Sequence, residues 1–123
     1  MNPPYPRVWL GDQGIVHIEF APHSQISLEL IQQACHKRLE LIAEPSPVLI
    51  MAKKVSGYDI EATLYLSKEA VKDSNLAYAI VTDSFLTDFT AREFVKYHKP
   101  PAPVNIFRDE QDAVEWLLDF VKK

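Results

Sequence analysis

Residues 47–52 read PVLIMA, the most apolar run of the chain. A continuous apolar run of this length, with no polar residue at alternate positions, fits a strand covered on both faces. Such a strand belongs in the middle of a sheet, and the fold follows from what lies on either side of it. Upstream, Pro45 and Pro47 close a helix, because the residue before a proline is pushed out of helical conformation. That helix opens at Ser27, a capping residue, with Ile26 and Ile31 spaced as a hydrophobic staple. Leu28, Ile31, Cys35, Leu39 and Ile42 then recur at helical spacing and predict its buried stripe. Farther upstream, Val8–Leu10 and Ile15–Phe20 flank the polar turn Gly11-Asp12-Gln13-Gly14, and Val16, Ile18 and Phe20 alternate with His17 and Glu19. This pattern predicts a β-hairpin with one buried face.

Downstream, Asp59 precedes a helical segment from about Ile60 to Leu66, and Ser67 can cap a second that closes near Asn75. Leu76–Thr82, LAYAIVT, is a further buried strand by the argument applied to residues 47–52. Asp83 or Ser84 can cap a helix reaching Tyr97 or His98, before Pro100. Val104–Phe107 is a short strand. Asp109, with Asp112 three residues on, resembles a capping box for a last helix whose buried positions are Ala113, Leu117, Leu118 and Val121. A hairpin followed by strand–helix units predicts an α/β fold: a mixed sheet of about five strands, the later ones parallel and joined by right-handed crossovers. Residues 1–123 are expected to form a single domain, with 1–6 loose.

Composition narrows the function. A chain of 123 residues with 47% hydrophobic content can bury a core, and its net charge of −4 argues against nucleic acid as a partner. No segment is long enough to span a bilayer, and the N-terminus lacks the pattern of a signal peptide. A single cysteine, Cys35, excludes an internal disulfide, so a reducing cytoplasm is the simplest compartment.

The strand Val48–Ala52, the connector KVSGYDIEA from Lys54, the strand LAYAIVTDS from Leu76, HKPPAPVNIF from His98 and DEQDAVEWL from Asp109 together resemble a bacterial group of small STAS-like domains. STAS domains include the SpoIIAA-type antagonists of anti-sigma factors. The resemblance runs from Val8 over nearly the whole chain. It implies the STAS fold and, from the wider class, switching by protein contact, in some members through nucleotide or lipid binding. Antagonist members carry a phosphorylatable serine at the start of the helix after the central strand. The matching region here is Tyr58-Asp59-Ile60-Glu61, with an aspartate where that serine is expected. Asp59 already places a negative charge where a phosphate would sit. Ser56 is an alternative phosphate acceptor, but beside Gly57 it reads as a turn serine.

In a parallel α/β sheet the loops at the carboxyl ends of the strands gather on one rim, where ligands bind. That rim brings together Lys53, Lys54, Ser56, Tyr58 and Asp59, then Thr82, Asp83 and Ser84, then Arg108 and Asp109. Three candidate caps are aspartates, which weighs against a phosphate site, and no glycine-rich phosphate loop is present. The histidines His17, His23, His36 and His98 have no metal-ligand spacing, and Ser84 lacks a nucleophile elbow. We therefore expect no catalytic residues, metal or cofactor. The helix after Asp83 places Leu86, Phe89, Thr90, Glu93, Phe94 and Tyr97 on one arc, with a carboxylate inside it. Phe89, Glu93, Phe94 and Tyr97 are accordingly candidates for a hydrophobic contact surface. The proline run from Lys99 to Pro103 reads as a rigid connector to an edge strand. The sequence thus points to a non-enzymatic regulatory or scaffolding module that contacts an unknown protein partner, or a second copy of itself as a homodimer. The alternatives are a carrier or sensor of a small hydrophobic ligand and, more weakly, an enzyme of unknown reaction.

Overall fold

The computed structural model describes residues 5–42, 44–53, 55–59, 75–82 and 103–121. In chain order these form β1 (Arg7–Leu10), β2 (Val16–Glu19), β3 (Gln25–Ile26), α1 (Leu28–Leu41), β4 (Ser46–Met51), β5 (Gly57–Tyr58), β6 (Asn75–Val81), β7 (Val104–Phe107) and α2 (Glu110–Leu118). Five strands make the main sheet in the order β1-β2-β4-β6-β7. β1 runs antiparallel to β2, and the remaining pairs are parallel. This is the expected mixed sheet, with the PVLIMA strand at its centre and Val104–Phe107 at one edge. The strands lie across the sheet in the order in which the chain makes them. Among the described strands there is therefore no point where strand order reverses, the place where doubly wound folds open a ligand crevice.

Successive side chains of a strand point to opposite faces, so the sheet supports two cores. On the first face Val16, Ile18, Val48, Ile50, Tyr78, Ile80 and Ile106 pack with Ile31 and Ala34 of α1. On the second, Leu49, Ala77, Ala79 and Val81 pack with Ala113 and Leu117 of α2. Residues 46–50 of β4 are buried without a break, as a strand covered on both faces requires.

Both helices start as the sequence suggests. The Ser27 hydroxyl accepts the Leu30 N–H at 3.2 Å, and Ile26 and Ile31 meet in the first core. The Asp109 carboxylate accepts the Gln111 N–H at 2.7 Å. Their buried stripes differ in part. Leu39 is 49% exposed and Leu118 is 38% exposed, while Ala34 and Arg38 of α1 are buried. At about 100° per residue, Arg38 lies nearer than Leu39 to the centre of the arc set by Ile31, Cys35 and Ile42. A reading that selects only apolar residues passes over it. Arg38 is tolerated inside because its guanidinium donates to the carbonyl of Ile42 and, at 2.7 Å, to that of Glu44. It thereby holds the exit of α1 against the approach to β4. Burial pushes its pKa down, and Tyr78 and Cys35 oppose the shift. Cys35 lies in the same core, where burial pushes its thiol up to about 11.

Of the segment expected to be loose, residues 1–6, only Tyr5 and Pro6 lie among the described residues. Pro6 is among the most deeply buried residues, and its carbonyl accepts a hydrogen bond from Lys37 Nζ at 2.8 Å. The helices expected over 60–72 and 83–98 lie outside the described residues.

Candidate functional site

The rim loop after β4 is held by a device the sequence reading misses. β3 and β5 form a separate two-stranded parallel ribbon, pairing Gln25 with Gly57 and Ile26 with Tyr58. The Ser56 N–H donates to the Ser24 carbonyl at 2.8 Å, and the Asp59 N–H to the Ile26 carbonyl at 2.9 Å. The Gln25 side chain lies over this ribbon. Its Nε2 donates to Asp59 Oδ1 at 2.9 Å, and its Oε1 accepts from the Ser56 hydroxyl at 3.3 Å. A Cβ at Gly57 would sit 3.1 Å from that Oε1, so glycine leaves room for the amide to lie flat. One amide thus collects two of the rim candidates, Ser56 and Asp59, and a third, Tyr58, lends its backbone to the ribbon.

The carboxyl ends of the central strands are also laced together. Ala52 N–H donates to the Val81 carbonyl and Thr82 N–H to the Phe107 carbonyl, both at 2.9 Å. Asp109, at the end of the third loop, spends its carboxylate on the start of α2. The other candidates, Asp83, Ser84, Phe89, Glu93, Phe94 and Tyr97, lie outside the described residues. Among the described residues, no cluster of three or more His, Cys, Asp or Glu side chains could hold a metal ion. No helix among them is long and apolar enough to cross a membrane.

A second polar constellation lies on β1 and β2, on the face that α2 covers elsewhere. The register pairs Arg7 with Glu19 and Trp9 with His17. Arg7 and Glu19 form a cross-strand ion pair, and the same guanidinium stands 5.5 Å from the Tyr5 ring and 5.8 Å from the Trp9 ring. Trp9 stacks on His17, with ring centroids 5.1 Å apart and planes 11° from parallel. Trp9 is nevertheless 38% exposed. His17, the inner member of this stack, is half-buried. Burial lowers its pKa below the usual 6.5, and the Glu110 carboxylate opposes the shift. Its Nδ1 and Arg7 Nε are buried without a hydrogen-bond partner among the described residues. At the other ring nitrogen there is little space, since a Cβ on Gly11 would come within 2.8 Å of His17 Nε2. Arg7, Trp9 and Gln25 were not among the sequence candidates. The first two could have been found by aligning RVWL antiparallel to VHIE across the turn, whereas Gln25 left no pattern to follow.

The family model of a domain of unknown function, DUF7793, matches residues 8–121. Among solved structures, the fold is similar to an uncharacterized protein of the DUF3478 family with a SpoIIAA-like fold from Shewanella loihica PV-4. The two chains share 18% sequence identity, 90% of each is covered, and the TM-score is 0.65. At that identity the likeness speaks to fold, and it agrees with the resemblance read from Val8 onward. No curated protein matches the chain.

Proposed function

The chain belongs to the DUF7793 family, and from its SpoIIAA-like fold we propose that it is a regulatory or scaffolding module acting by protein–protein contact, without catalysis. The observation that carries the proposal is the edge of the sheet. β1 is a terminal strand, and two of its four residues, Trp9 and Leu10, are large apolar side chains exposed at 38% and 41%. Edge strands offer unpaired backbone groups to a neighbour, and tryptophan is enriched among the side chains that dominate binding energy. A rim whose hydroxyl and carboxylate are bound to Gln25 also favours a fixed contact surface over an antagonist-type phosphate switch.

Native mass spectrometry of the protein drawn from its own host reads the stoichiometry of its complexes, with itself or with another chain. Trp9→Ala should weaken such a complex by about tenfold or more, as loss of an interface anchor does. Its thermal midpoint should stay close to that of the parent, because Trp9 lies outside both cores. A strictly monomeric protein, or a complex indifferent to Trp9→Ala, would overturn the reading.

A further inference from the structure

Tyr5, Glu19, Phe20, Pro22, Met51 and Lys53 line a cleft of about 180 Å³ at the carboxyl ends of β2 and β4. The strand register explains its make-up. Arg7, Glu19 and Met51 form one row across β1, β2 and β4, and Lys53 follows Met51 by two residues. The backbone ladder is loose there. Phe20 N–H reaches the Met51 carbonyl at 3.5 Å, whereas Ala52 N–H meets the Val81 carbonyl at 2.9 Å on the other side of β4.

Charge in the cleft does not balance. The Glu19 carboxylate is taken by Arg7, whose guanidinium also stands over the Tyr5 ring. Lys53 is exposed and makes no hydrogen bond or ion pair among the described residues. What remains, among the described residues, is an apolar floor of Phe20, Pro22 and Met51 beside one ammonium without a counter-charge. A neutral apolar guest would gain nothing from that ammonium, and a cationic guest would meet like charge. A carboxylate would pair with it. The volume lies below the ~300–1,000 Å³ of pockets for drug-sized molecules, so the guest is small. We propose that this cleft binds a small organic carboxylate, with its apolar body on Phe20, Pro22 and Met51 and its carboxylate on Lys53. The site is separate from the contact edge at Trp9, and either can fail without the other.

Met1 and Met51 are the only methionines, so methyl-labelled methionine reports on the cleft directly, and Met51→Leu assigns the signal. Full-length protein is titrated with hexanoate and with phenylacetate, then with hexanamide and phenylacetamide at the same concentrations. At least one carboxylate should shift the Met51 methyl signal saturably, and its amide should leave it in place. Lys53→Ala should weaken that binding by about tenfold or more, and Lys53→Arg should retain most of it, as expected for a charge-assisted contact. Lys53 is exposed, so neither variant threatens the fold. Absence of a saturable shift with both carboxylates, equal shifts with the amides, or undiminished binding to Lys53→Ala would each overturn the proposal.

Discussion

On the second face of the sheet, two neighbouring regions share strands, pleat and hydrogen bonding yet serve different ends. Over β4 and β6 the residues are Leu49, Ala77, Ala79 and Val81, all at 0% exposure, and they meet Ala113 and Leu117 of α2, also at 0%. Small side chains let the helix approach the sheet closely, and contact leaves no room for water. Over β1 and β2 the same face carries Arg7, Trp9, His17 and Glu19, large side chains with polar ends that pack on each other across the strands. The first region can only hold the fold together. The second pairs its polar ends across the strands and leaves a partly exposed indole, Trp9, at the surface.

The sharpest way to break this comparison is Leu117→Ala. Leu117 is fully buried between α2 and the sheet, and its truncation removes contacts and leaves a cavity. The expected loss is about 2–5 kcal/mol, read as a lower urea midpoint at unchanged slope. A loss as small as that for Trp9→Ala would show that the two regions do not divide the work in this way.

Gly14 marks the join between the regions, and its substitution should have the next largest effect. It sits in the β1–β2 turn at φ +85°, a conformation open to glycine and costly for other residues. A Cβ there would also come within 3.3 Å of Val121 Cγ1, just beyond α2. Gly14→Ala should cost about 1–2 kcal/mol in chemical denaturation. If the turn relaxes instead of straining, the cost will vanish and the near-UV signal of the Trp9–His17 stack will change.

How much of this was legible depends on which pattern each element obeys. β4 and β6 were readable because a buried strand needs five or six apolar residues in a row, and Val48–Ala52 and Leu76–Val81 supply them. The hairpin was readable from Val16, Ile18 and Phe20 alternating with His17 and Glu19. The stripe of α1 was only partly so, since Arg38 is buried by hydrogen bonds to carbonyls that are not visible in a hydrophobic pattern. β3 and β5, two residues each, are too short for any period to show. Gln25 earns its place through residues more than thirty positions away, which no local signal could reveal. The cleft is likewise a product of register: Tyr5, Glu19 and Lys53 are unremarkable until β1, β2 and β4 are laid side by side.

His17 gives the smallest and most selective test, because its protonation separates the two regions by pH. In the folded chain burial lowers its pKa below 6.5, with Glu110 offsetting part of the shift, while in the unfolded chain it returns to about 6.5. Between those two values the unfolded state binds more protons, so stability rises with pH across that window. His17 therefore makes its full contribution above about pH 6.5 and loses it as the pH falls toward the folded value. His17→Phe preserves a ring against Trp9 but cannot take a proton. The stability of the parent relative to this variant should decline from pH 7 to pH 5 in urea denaturation. A difference that stays constant would mean the ring is hydrated enough to titrate as if unfolded. A difference that grows as the pH falls would mean that the attraction of Glu110 exceeds the cost of burial, and the β1–β2 region would then be tied electrostatically to α2.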